Sequence, residues 1–124
     1  MDQKDEEKDM TKKEFQELAA SDIVLLDGAT GSNFRKAGMP VGVSTELWAM
    51  EHPDVVRTLQ SGYVEAGSQI IYAPTFSANR LGLEMHGLTD RLEEINTKLV
   101  KLSKEIAGGR AYVAGDMTTT GRML

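Results

Sequence analysis

Asp27 opens the run Gly28-Ala29-Thr30-Gly31-Ser32, a carboxylate followed by small residues. Glycines at 28 and 31 allow close backbone approach and positive φ, so a small ligand or its charged groups could lie against main-chain N–H donors there. Two further stretches offer comparable groups: Thr75 and Asn79 within Pro74-Thr75-Phe76-Ser77-Ala78-Asn79-Arg80, and Asp116 with Thr118, Thr119 and Thr120. Taken alone, the Asp27 loop reads equally as a ligand site or as a tight turn that the aspartate caps.

What distinguishes these three stretches is what precedes them. Ile23-Val24-Leu25-Leu26, Gln69-Ile70-Ile71-Tyr72-Ala73 and Ala111-Tyr112-Val113-Ala114 are apolar runs too short for helices. Each reads as a strand buried on both faces, the habit of a parallel sheet. Parallel α/β proteins bind ligands at the carboxyl ends of their strands, so the three exits would share one rim.

Helices fill the intervals. Thr11-Lys12-Lys13-Glu14 fits a capping box ahead of an amphipathic helix in which Phe15, Leu18 and Ala19 share a face. Pro53 suits the first turn of a helix carrying Val55, Val56, Leu59, Tyr63 and Val64, with Gly67 as its stop. Thr89 or Asp90 is positioned to cap a longer helix bearing Leu92, Ile95, Leu99, Leu102 and Ile106, ended by Gly108-Gly109. A short helix is expected after the second strand, and the segment between Ser32 and Pro53 reads as irregular. The order predicts an α/β fold with a parallel sheet and crossover helices. A small flavodoxin-like domain binding a phosphate ligand is the alternative arrangement.

Composition narrows the function classes. The chain has 124 residues and a net charge of −5, with five acids (Asp2, Asp5, Glu6, Glu7, Asp9) against Lys4 and Lys8 near its start. Residues 1–10 read as a charged flexible arm and residues 11–124 as the folded part. The acidic balance argues against nucleic acid and anionic membranes as partners, and no apolar run has transmembrane length, so a cytoplasmic location is expected. There is no cysteine, hence no disulfide and no thiolate metal site. His52 and His86 lack metal-ligand spacing and read as structural or surface residues. The Gly28–Ser32 loop has neither the GK[ST] ending of a P-loop nor the GxGxxG spacing of dinucleotide folds.

Five segments in register point to a family. Asp27-Gly28-Ala29-Thr30-Gly31-Ser32, Glu46-Leu47-Trp48, His52-Pro53-Asp54-Val55-Val56, Tyr63 to Ile71, and Pro74-Thr75-Phe76-Ser77-Ala78-Asn79 resemble the amino-terminal part of homocysteine S-methyltransferases. The family includes the homocysteine-binding domain of cobalamin-dependent methionine synthase. The resemblance covers residues 20–121 and implies a partial (β/α)8 TIM barrel, its first three βα units preceded by an N-terminal helix. It implies methyl transfer to the homocysteine thiol, giving methionine, with a zinc ion held by three cysteine thiolates in the complete domain. Zinc lowers the thiol's effective pKa and so provides a nucleophile at neutral pH.

By the same resemblance Asp27 binds the amino group of homocysteine, helped by the backbone of Gly28, Ala29 and Thr30. Thr75 and Asn79 line the pocket or fix its rim. The chain departs from the family pattern at Thr119, where a proline is common, and in having no cysteine. A barrel takes about 250 residues. The expectation is therefore a chain that holds no cofactor by itself, recognises homocysteine through its amine and is inactive alone. The alternative is a non-catalytic binding or assembly module, or a split subunit, that completes a barrel with a complementing chain.

Overall fold

The periodic apolar residues of the two longest helices make the core. A computed structural model describes residues 9–123. Most of the arm expected over residues 1–10 lies outside that range; Asp9, inside it, accepts a hydrogen bond from Lys104 Nζ at 3.1 Å. In chain order the elements are α1 (Lys12–Ser21), α2 (Gly31–Lys36), α3 (Thr45–Glu51), α4 (Pro53–Ala66), β1 (Ile70–Tyr72), α5 (Arg80–Glu84), a 3-10 turn (Thr89–Arg91), α6 (Leu92–Ala107) and β2 (Tyr112–Ala114).

Along α6 the three-and-four spacing turns Ile95, Leu99 and Ile106 into a cluster with Val56 of α4, Trp48 and Ala49 of α3, and Phe34 of α2. A second cluster joins Val64, Ala107 and Ala111 to Ile71, the middle residue of β1. Gly67 and Gly108 end α4 and α6 in the left-handed region, at φ 109° and 53°, as their placement predicts. The strands β1 and β2 pair in parallel with Ile70 opposite Tyr112 and Tyr72 opposite Ala114, and α5 and α6 supply the crossover that parallel pairing requires.

The structure corrects three expectations. The run Ile23–Leu26 is not a buried strand: only Leu26 forms a parallel bridge, to Ile70, while Ile23 is 78% and Leu25 53% exposed. Its outer edge has no neighbour among the described residues, so nothing there stabilises extended pairing. Second, the segment expected to be irregular holds α2 and α3. Ser44 caps α3 by accepting from Leu47 N, and the helix buries Trp48 and Ala49.

Third, neither Thr89 nor Asp90 caps α6. The chain enters that helix through the 3-10 turn, and Arg91 forks onto Glu94 at 3.0 and 3.2 Å. The capping box expected ahead of α1 is present, Thr11 Oγ1 accepting from Glu14 N and Glu14 Oε2 from Thr11 N, and the helix buries none of its residues. Its Phe15, 44% exposed, stands across from the sheet. A cavity of about 520 Å³ lies between them, lined by Met10, Phe15, Leu26, Ile70, Tyr72 and Tyr112 among others.

Candidate functional site

The exits of β1, β2 and the Leu26 bridge converge, and hydrogen bonds lock them together. Thr75, 6% exposed, donates its hydroxyl to Asp116 O and accepts from Asp116 N, both at 3.0 Å. Thr118 N donates to Phe76 O at 3.0 Å, extending the seam between the second and third loops. Asn79 caps α5, its Oδ1 accepting from Gly82 N at 2.8 Å. Thr75 and Asn79 thus act on the backbone of the rim, and neither is among the residues lining the cavity at its centre.

Asp27 is fixed by strand geometry. Ile70 N donates to Leu25 O and Asp27 N to Ile70 O, so the next N–H along β1, that of Tyr72, faces residue 27. The Asp27 side chain takes it: Tyr72 N donates to Asp27 Oδ2 at 3.1 Å. Partial burial pushes the Asp27 pKa above its ordinary 3.8, the Tyr72 and Asp27 backbone N–H groups oppose the shift, and the nearby charge of Asp116 adds to it. A carboxylate has room for about four hydrogen bonds, so Tyr72 leaves acceptor capacity for a ligand.

The following loop is held by its carbonyls. Tyr63 Oη donates to Ala29 O at 2.7 Å and Asn33 Nδ2 to the same oxygen at 2.8 Å. Gly28 has to be small here, because a Cβ would lie 3.0 Å from Tyr63 Oη and 3.1 Å from its ring. Thr30 precedes α2 without a side-chain capping bond.

A cavity of about 290 Å³ opens among these loops, walled by Gly28, Thr30, Glu46, Tyr72, Phe76 and Asp116 among others. Asp27 does not line it but adjoins it through Tyr72, which does. Two carboxylates and no Lys, Arg or His stand in its wall, an electrostatic setting for a cationic group.

Glu46 stands in this wall, a residue that in the sequence carries only the family segment Glu46-Leu47-Trp48 and no role of its own. It belongs to α3 and is 4% exposed, with Oε1 accepting from Ser77 N at 2.7 Å and Oε2 facing Ser44 Oγ at 3.4 Å. It fastens the second loop to the start of α3. The signal was present in Ser44-Thr45-Glu46, a cap with an acid in the first turn, but such a glutamate usually belongs to a solvated face. Glu46→Ala should lower stability by about 2 kcal/mol by leaving the Ser77 N–H unpartnered. Glu46→Gln, which keeps an acceptor, should lose less than half of that in urea unfolding.

His52 ends α3, stacks on Trp48 with ring centroids 4.0 Å apart and bonds Trp48 O through Nδ1 at 2.8 Å. His86 is exposed in the connection after α5. Among the described residues no group of three or more His, Cys, Asp or Glu could hold a metal ion, and no helix is long and apolar enough to cross a membrane.

Residues 24–124 match the family model described as homocysteine S-methyltransferase. The S-methylmethionine–homocysteine S-methyltransferase of Pongo abelii is 33% identical over 108 residues, a match covering 86% of this chain and 28% of that protein. Betaine–homocysteine S-methyltransferase 1 of Danio rerio is 34% identical over 110 residues, with the same coverages. Among solved structures, the metallated homocysteine methyltransferase MmuM of Escherichia coli superposes with a TM-score of 0.64 at 22% identity, over 82% of this chain and 40% of that one. Its oxidized form gives 0.66 at 22% identity, over 83% and 40%. The chain thus spans less than half the length of each of these proteins.

Proposed function

The chain belongs to the homocysteine S-methyltransferase family, and from that premise we propose that its strand-exit rim recognises the amine end of homocysteine within a domain that methylates the homocysteine thiol to give methionine. The observation that carries this reading is the carboxylate of Asp27, held by Tyr72 N–H at the strand end beside a cavity with acidic and no basic side chains. A charge-assisted hydrogen bond from an ammonium to that carboxylate supplies both attraction and orientation. Gly28 and Thr30 form the adjoining wall, with Ala29 between them held by its carbonyl, while Thr75 and Asn79 keep the rim in place through the backbone. In this reading the residues form the opening βα units of a (β/α)8 barrel, three in number.

A thiolate-bound zinc does not fit the residues present. The chain contains no cysteine, and the rim carboxylates Asp27 and Glu46 are engaged with backbone N–H groups. Its own contribution is therefore to bind and orient the amino acid, and activation of the sulfur is not assigned to any of its residues. Alone, it is expected to be inactive in methyl transfer. The second reading, a module that completes its barrel with a complementing chain, draws on the exposed edge at Ile23 and Leu25 and the open sheet face under Phe15.

Calorimetric titration tests the amine reading. L-homocysteine should bind this chain and 4-mercaptobutanoate, which lacks only the amino group, should bind at least about tenfold more weakly. Equal binding of the two, or none of homocysteine, overturns it. Methionine formation from homocysteine, zinc and S-methylmethionine or a betaine should be absent, and turnover would refute the claim of inactivity.

A further inference from the structure

The end of β1 has a second backbone group that the sheet leaves without a partner, and a buried side chain from the helical layer supplies one. In the parallel register set by Ile70 against residues 25 and 27, Tyr72 would bond the carbonyl of residue 27 and the N–H of residue 29. The chain has turned away by then. Asp27 replaces the missing acceptor with its carboxylate, and Gln60 of α4 replaces the missing donor, its Nε2 donating to Tyr72 O at 3.0 Å. Both ends of the pairing are thus made by side chains.

Gln60 is 3% exposed, and a buried amide that pointed its oxygen at Tyr72 O would set two acceptors against each other. The carbonyl accepts only, so it holds Nε2 towards itself, and Ser103 of α6, fully buried, satisfies the other end of the amide: its hydroxyl donates to Gln60 Oε1 at 2.9 Å. The chain of bonds runs Ser103 Oγ to Gln60 Oε1, Gln60 Nε2 to Tyr72 O, and Tyr72 N to Asp27 Oδ2. Fully satisfied buried polar links of this kind rigidify what they connect.

We propose that Gln60, anchored through its Oε1 by Ser103, is a positioning residue for Asp27: it fixes the Tyr72 backbone whose N–H holds the Asp27 carboxylate at the rim. This rests on the reading of Asp27 as the amine-binding group. Neither Gln60 nor Ser103 lines the rim cavity, so their influence on a ligand has to pass through Tyr72.

The test is NMR of the isotopically labelled full chain, following the Asp27 carboxyl titration and the exchange of the Tyr72 amide. Gln60→Met keeps the side chain's length and removes its donor. It should speed Tyr72 exchange by about tenfold or more and, by loosening the N–H that favours the ionised form, raise the proton affinity of Asp27 by about threefold. Ser103→Ala, which deletes one hydroxyl and leaves Gln60 Oε1 without its anchor, should move both readouts the same way by less. If Gln60→Met does not fold, Ser103→Ala carries the test.

Leu99→Ala, a cavity in the helical core away from these bonds, should leave the Asp27 titration where it was. Unmoved readouts in the folded variants, or an equal shift in Leu99→Ala, overturn the proposal. Because no ligand enters these measurements, a failure of homocysteine to bind would strike the proposed function and leave this result standing.

Discussion

Asp27→Asn should weaken homocysteine binding by about 10- to 150-fold, the loss expected when a hydrogen bond to a charged group worth about 1.5–3 kcal/mol is removed. The same substitution should make the fold more stable at neutral pH. Burial raises the Asp27 pKa above 3.8, so between that value and the raised one the folded chain binds a proton that the unfolded chain has lost. Stability attributable to Asp27 is therefore present in acid and declines as pH rises through that window. At neutral pH the wild type holds a half-buried charge beside Asp116, whereas asparagine carries none and can still accept from Tyr72 N. The thermal midpoint of Asp27→Asn should exceed that of the wild type at pH 7, and the gap should close as pH falls below the ordinary carboxyl range.

Homocysteine binding should carry the matching signature. An ammonium favours the ionised carboxylate, so affinity should rise with pH through the Asp27 titration while the amine stays protonated. A variant that binds as tightly as the wild type, or one less stable at pH 7, would contradict this account. A trade of stability for binding at one residue is the pattern expected where function requires a charge that the fold would otherwise exclude.

Asp27 was legible in the sequence because its position follows from local features: an apolar run, a carboxylate, then small residues. The second and third strands were legible for the same reason, and so were the faces of α4 and α6, where apolar residues recur at helical spacing and glycines end both helices. The first run failed as a strand because strand formation depends on neighbours, and Ile23 to Leu26 makes a single β-bridge, at Ile70, its other long-range bonds going to Ser68 and Gln69 ahead of the strand. Helix α2 begins at a glycine without a side-chain cap, which gave no signal to read. The roles of Glu46 and Gln60 escaped for a different reason. Each looks like an ordinary polar helical residue, and its importance lies in a partner distant in sequence, Ser77 for one and Tyr72 with Ser103 for the other.

Gly82→Ala should destabilise the chain by about 2–4 kcal/mol, against the sign that helix propensity alone predicts. Within a helix, alanine in place of glycine ordinarily gains about 1 kcal/mol, and Gly82 lies in α5 with no positive φ to protect. A Cβ there would, however, overlap the carbonyl oxygen of Ser77 and approach Ser77 Cβ to 3.3 Å. The backbone of Ser77 cannot give way freely, since Glu46 Oε1 holds its N–H at 2.7 Å and Asn96 Nδ2 holds Ala78 O at 2.8 Å. Overpacking against a pinned backbone costs several times what propensity returns. Gly62→Ala in α4 is the matched control, because an added Cβ there meets nothing within 4 Å and should raise the urea midpoint slightly. Opposite signs for the two alanines are the expected result. A neutral or stabilising Gly82→Ala would mean that the second loop yields easily, and the rim would then lack the rigidity that orienting an amino acid through Asp27 demands.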